Sequence, residues 1–127
     1  MEEKDVRSVG LKNLLAVGFG GMAGSLLRAV IYEGVSSFTG LWIVNLLGSL
    51  LLGFAAGRFH AKSAPFRLFV STGLIGSFTT FSAFTAEWFR LMERSFTSGL
   101  LLAVAMTAFS IIAAAVGLKF GRKKVGE

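Results

Sequence analysis

Four stretches without a single charge constrain this chain more than any other feature: residues 13–27, 34–57, 68–86 and 95–118. The last three hold 24, 19 and 24 residues. A helix needs about 20 apolar residues, at about 1.5 Å of rise each, to cross a bilayer core. The first stretch reaches that length when Arg28 is accepted near its end, over Asn13 to Tyr32. The 127 residues are 54% hydrophobic and 16% charged, against about 25% charged in an ordinary soluble domain. The pattern predicts an all-α membrane protein, a single four-helix transmembrane domain over residues 1–127, with spans near 12–32, 41–59, 66–92 and 96–120. Residues 1–9 are expected to fray or to lie at the interface. Pro65, the only proline, suits a helix start.

Several classes fall away. The segment from Lys4 to Leu27 has the basic flank and apolar core of a secretory leader, but Arg28 and Tyr32 replace a small-residue cleavage site and three spans follow. With no cysteine and only His60, there is no disulfide framework, thiolate nucleophile or histidine cluster. The segment "GFGGMAGS" (18–25) resembles a phosphate loop only in its glycines, since the Gly-Lys-Ser/Thr ending is missing. Gly20 with Gly24, and Gly53 with Gly57, read instead as small-xxx-small pairs that let helices approach closely, within a bundle or between subunits. No nucleophile–base pair points to an enzyme. The net charge of +6 comes from basic residues at helix ends, which suits anionic lipid headgroups rather than nucleic acid.

Four crossings put both termini and the middle connector on one side. That side holds Lys4, Arg7, Lys12, Arg58, Lys62, Arg67, Lys119, Arg122, Lys123 and Lys124; the other holds Arg90 and Arg94. Ten cations against two predict cytoplasmic termini by the positive-inside rule.

Polar residues inside the spans carry the functional signal. An unpaired amide in hydrocarbon costs several kcal/mol, so Asn45 in "WIVNLLG" must face protein or water. Arg28 must snorkel or find a partner. The third span contains "GLIGSFTTFSAFTAEW" (73–88), with five hydroxyls, three phenylalanines and Glu87 in sixteen positions. Gly73, Gly76, Thr79 and Thr80 weaken the helix, which predicts a break near 76–80 whose freed carbonyls suit a cation. Beyond it, Phe81, Phe84 and Thr85 share a helix face, with Ser82 and Glu87 toward adjacent faces. One or two hydroxyls would bond back to their own helix; five argue for a polar track. Neutral hydroxyl and amide donors replace the water shell of a small hard anion, and ring edges present the positive end of the aromatic quadrupole. Such contacts bind weakly enough for conduction.

The segments "GGMAGSLLR" (20–28), "VNLLGSLLLG" (44–53) and "GLIGSFTTFSAF" (73–84), in this order and spacing, resemble the CrcB/Fluc family of small fluoride-specific ion channels over nearly the whole chain. The resemblance implies a dimer of two antiparallel four-helix subunits in the cell inner (plasma) membrane. Its function would be passive fluoride efflux through two pores at the subunit interface. It further implies pore roles for Asn45, Phe81 and Phe84, track positions at Ser82, Thr85, Thr107 and Glu87, and a vestibule position at Arg28. Gly76 and Thr79 fall where backbone carbonyls hold a structural, non-transported sodium ion (Na+). Two positions depart from the family: Leu41 where threonine is frequent, and Ala103 where tyrosine is frequent. Both remove polar groups from one pore. Because a dual-topology homodimer needs near-balanced charge, the bias in this chain favours pairing with an oppositely oriented paralogue over pairing with itself.

The alternative is a proton-coupled multidrug exporter subunit of similar size. That mechanism needs a membrane-embedded carboxylate early in the chain, and Glu33 stands at a helix end. A non-transporting scaffold would leave the hydroxyl–phenylalanine track without purpose.

Overall fold

The computed structural model describes residues 3–122; Lys123 and Lys124 lie outside the described residues. Its elements are α1 (Glu3–Gly34), α2 (Ser37–Arg58), α3 (Ala64–Arg67), a π-helical segment (Leu68–Ile75), α4 (Gly76–Phe78), α5 (Phe81–Arg94) and α6 (Phe96–Arg122). No strand occurs among the described residues. Four helical stretches are long and apolar enough to cross a membrane: Asp5–Gly34, Ser37–Arg58, Ala64–Arg94 and Phe96–Arg122.

Of the two expectations for residues 1–9, fraying or lying at the interface, fraying does not hold from Glu3 onward, because helix α1 begins there. Glu3 and Asp5 lie in its first turn, where carboxylates complement the positive end of the helix dipole. The Arg7 guanidinium reaches Glu3 at 2.8 Å one turn on. Helix α2 also starts before Leu41, since Ser36 caps it by accepting a hydrogen bond from the Thr39 amide at 3.2 Å. Pro65 sits in the first turn of α3 as its missing N–H allows.

Two glycine-lined seams hold the bundle together. Where α2 crosses α6, a Cβ on Gly53 would strike the Ala114 carbonyl, and one on Gly117 would strike the Leu50 carbonyl. Where α1 meets the third span, a Cβ on Gly20 would strike the Phe69 carbonyl and one on Gly24 the Leu74 carbonyl. Both small-residue pairs therefore act within the chain. Lipid provides no hydrophobic drive between helices, so backbone-close packing must hold these seams.

The third span is not a regular helix. Over Leu68–Ile75 the backbone winds as a π-helix, and its end is marked by the Gly76 amide reaching the Ser71 carbonyl five residues back. Thr79 (φ −76°, ψ 159°) and Thr80 (φ −144°, ψ 119°) are extended, and the α-helix resumes at Phe81. The Thr80 hydroxyl caps this new start by accepting from the Ala83 amide at 3.2 Å. Leu41, Leu102 and Met106 form a buried cluster with Trp42, Ala83, Phe84 and Leu91 packed on it. Leu14, Leu26, Val30, Leu101 and Ile112 are exposed, as suits side chains that meet acyl chains.

Candidate functional site

The two extended residues leave backbone groups without helical partners, and Asn45 meets one set of them. Its Oδ1 accepts from the Thr80 amide at 2.9 Å, and its Nδ2 donates to the Thr80 carbonyl at 3.1 Å. This pairing fixes the amide's orientation, because only one assignment of oxygen and nitrogen satisfies both peptide groups. Gly48, one turn after Val44 on α2, lets the interrupted span come this close, since a Cβ there would strike the Thr79 methyl.

The capture of Thr80 has a consequence for Gly76. In a continuing helix the Thr80 amide would bond to the Gly76 carbonyl; here it bonds to Asn45. The Thr79 hydroxyl takes up the Ile75 carbonyl at 3.2 Å and lies 3.5 Å from that of Gly76. A hard monovalent cation suits neutral carbonyl oxygens released in this way. No group of three or more His, Cys, Asp or Glu side chains is placed to hold a metal ion among the described residues.

Beside this junction runs an open groove of about 440 Å³, lined among others by Asn45, Ser49, Ser71, Thr107, Ser110 and Phe81. Gly76, Thr79, Thr80 and Phe84 line it as well. Six of the ten sequence-predicted site residues therefore meet in one place: Asn45, Phe81, Phe84, Thr107, Gly76 and Thr79. The Phe81 and Phe84 rings stand 5.8 Å apart and tilted by 31°. Phe84 packs on the buried cluster, whereas Phe81 is 79% exposed.

The other four predicted residues do not line the groove. Ser82 bonds to the Thr80 hydroxyl at 3.2 Å, and the Thr85 hydroxyl donates back to the Phe81 carbonyl at 2.9 Å. Glu87 accepts from Arg90 at 3.1 Å. Arg28 and Glu87 both lie close enough to Tyr32 to act on it electrostatically. Of the two family departures, Leu41 is fully buried in the apolar cluster rather than in the groove, and Ala103 is half-buried outside it.

Sequence reading missed Ser49, Ser71 and Ser110. Each is an isolated hydroxyl in an apolar helix, and neither spacing nor periodicity relates the three helices that carry them. These serines and Thr107 make no hydrogen bond within the described chain, unlike Thr79 and Thr85, which bond back to their own helix. Four unengaged hydroxyls and one side-chain amide thus flank a pair of aromatic rings. Such a wall donates hydrogen bonds without carrying net charge.

The chain is similar to known proteins over most of its length. Residues 15–118 match the family described as CrcB-like protein, Camphor Resistance (CrcB). A protein of Methanospirillum hungatei named "Fluoride-specific ion channel FluC 1" is 38% identical over 115 residues, 88% of this chain and 77% of the relative. "Fluoride-specific ion channel FluC" of Thermotoga maritima is 38% identical over 121 residues, 87% of this chain and 95% of the relative. The protein of that name from Rhizobium meliloti is 37% identical over 125 residues, 91% of this chain and 100% of the relative. With the match spanning most of its length and reaching into all four helical spans, the chain belongs to the CrcB family.

Proposed function

We propose that this chain is a subunit of a fluoride-specific channel through which fluoride leaves the cytoplasm passively. The observation that carries this reading is the groove in which Asn45, Phe81, Phe84 and Thr107 meet serine hydroxyls that have no hydrogen-bond partner among the described residues. The relatives' names supply the ion. Fluoride is small and strongly hydrated, so its passage requires many donors in place of water, none of them a trapping cation. Asn45 is oriented by Thr80, the hydroxyls supply further donors, and the Phe81 and Phe84 ring edges complete the wall. Ser82, Thr85 and Glu87 continue the route along α5, and Arg28 stands at its vestibule. None of the groove-lining residues is acidic, so a proton-coupled exporter has no proton site there.

The functional unit is an antiparallel dimer. The groove is open along one side and Phe81 projects from it largely exposed, as suits a wall completed by a second subunit. The interruption at Thr79–Thr80 is the family's break in the third helix. The Gly76 and Thr79 carbonyls there would hold a structural sodium ion that is not transported, and it would supply fixed positive charge beside the break. The charge bias places both termini in the cytoplasm, with the protein in the inner (plasma) membrane, and favours an oppositely oriented paralogue as the partner.

Release of fluoride from liposomes tests the reading, with chloride as control. Vesicles should contain the purified chain alone or together with an oppositely biased paralogue. Fluoride but not chloride should be released. Robust release by the chain alone removes the heterodimer; no release in either arrangement removes the channel. Release that requires a pH gradient would favour the exporter.

A further inference from the structure

We propose that the end of the bundle bearing Arg58, Lys62, Arg67, Lys119 and Arg122 binds the headgroup of an anionic phospholipid, with Arg58 and Arg122 at its centre. This does not depend on what the groove conducts. At this end α2 and α6 touch backbone to backbone: a Cβ on Gly57 would stand 3.1 Å from the Arg122 amide nitrogen, and one on Gly121 3.2 Å from that of Arg58. The two arginine side chains therefore leave the bundle from neighbouring points. Like charges so placed repel unless an anion stands between them.

Among the described residues no carboxylate forms an ion pair with either arginine. The ion pairs among the described residues are Arg7–Glu3 and Arg90–Glu87. No acidic residue occurs between Glu33 and Glu87, nor from residue 95 to residue 126. Among the described residues the five cations thus have no carboxylate partner.

The surroundings favour a lipid over a free ion. The Arg58 guanidinium lies 5.6 Å from the centre of the Phe54 ring, which holds the cation against an aromatic surface. Phe54 meets Phe59 edge-on at 6.2 Å, and Phe59 meets Phe66 at 5.1 Å. These phenylalanine rings give the charged end a continuous apolar floor. Toward the membrane centre, Leu51 and Val116 are exposed on the same two helices, so acyl chains have an apolar surface below the charged end. A free phosphate has no use for that surface.

The test uses the purified protein in phosphatidylcholine nanodiscs with increasing phosphatidylglycerol, reading retained lipid by native mass spectrometry and the melting temperature in parallel. Phosphatidylglycerol should be retained preferentially and should raise the melting temperature. Each cation removed should weaken retention about fivefold, so the Arg58→Gln, Arg122→Gln pair should lose most of it. The Arg90→Gln, Arg94→Gln pair at the opposite end should keep it. Should the first pair fail to fold, Lys62→Gln with Arg67→Gln, both exposed and away from the α2–α6 crossing, should still show a graded loss. Equal retention by all variants overturns the proposal. Displacement of the lipid by millimolar inorganic phosphate also overturns it, by assigning the cluster to free anions.

Discussion

Asn45 spends both faces of its amide on one residue, accepting from the Thr80 N–H at 2.9 Å and donating to the Thr80 carbonyl at 3.1 Å. A side chain thereby substitutes for the helical hydrogen bonds that Thr80 does not make, while the Thr79 amide still reaches the Ile75 carbonyl at 3.0 Å. Asn45→Leu should leave both peptide groups unmet and destabilise the fold by about 1–3 kcal/mol for each buried group. A melting curve of the purified protein checks this. Asn45→Asp keeps the acceptor but sets a carboxylate oxygen against the Thr80 carbonyl and a charge inside the span, so its loss should be at least as large.

Phe81 and Phe84 should separate folding from flux. Phe81→Ile alters a ring that is 79% exposed, so the melting temperature should hardly move while fluoride release is lost. Phe84→Ile should abolish release as well but also lower stability, because this ring packs on Leu41, Leu102 and Met106. Truncations of buried aromatic packing cost about 1–3 kcal/mol or more. Liposome flux and thermal melting on the same preparations give both readouts.

Ser71→Ala and Ser110→Ala should each reduce fluoride release severalfold without loss of folding, since neither hydroxyl forms a hydrogen bond among the described residues. Ser77 provides the control. Its hydroxyl faces Gly21 of α1, where an added Cβ would stand 3.2 Å away, and it does not line the groove. Ser77→Ala should leave release unchanged.

The glycine seams predict a contrast in stability. Gly117→Val should force α2 and α6 apart, because even a Cβ would strike the Leu50 carbonyl; a loss of about 3 kcal/mol or more is expected from such overpacking. At Gly18 nothing lies within 4 Å of an added Cβ, so Gly18→Ala should stabilise the helix by about 0.5–1 kcal/mol. Denaturation of the two variants beside the parent decides the matter.

Replacing sodium with choline should lower the melting temperature and slow fluoride release together. The Gly76 carbonyl has lost its helical donor to Asn45, so a cation is the natural partner for it and for the Thr79 carbonyl. Unchanged stability across the exchange would remove sodium from the structure.

Much of the architecture was legible before any tertiary contact was known. The four spans follow from the spacing of charges, since a charge in hydrocarbon is costly wherever it falls in the chain. Asn45, Phe81 and Phe84 stood out because an amide and a hydroxyl–aromatic run are anomalous in apolar helices. The reach of α1 back to Glu3 was not foreseen; it rests on a first-turn carboxylate and the Arg7–Glu3 pair at 2.8 Å, local features that a hydropathy reading passes over.

What only the tertiary structure decided is which polar residues meet. Ser49, Ser71 and Ser110 lie on three different helical stretches, and their convergence depends on how each is rotated about its axis. The π-helical winding over Leu68–Ile75 makes that rotation unreadable, because the 3.6-residue period used to assign faces does not hold there. The sequence by itself determined the crossings, the charge bias and the glycines that permit close approach, all of which depend on residue type along the chain. The common wall of the groove and the capture of Thr80 by Asn45 depend on contacts across 35 positions, and only packing in three dimensions sets those.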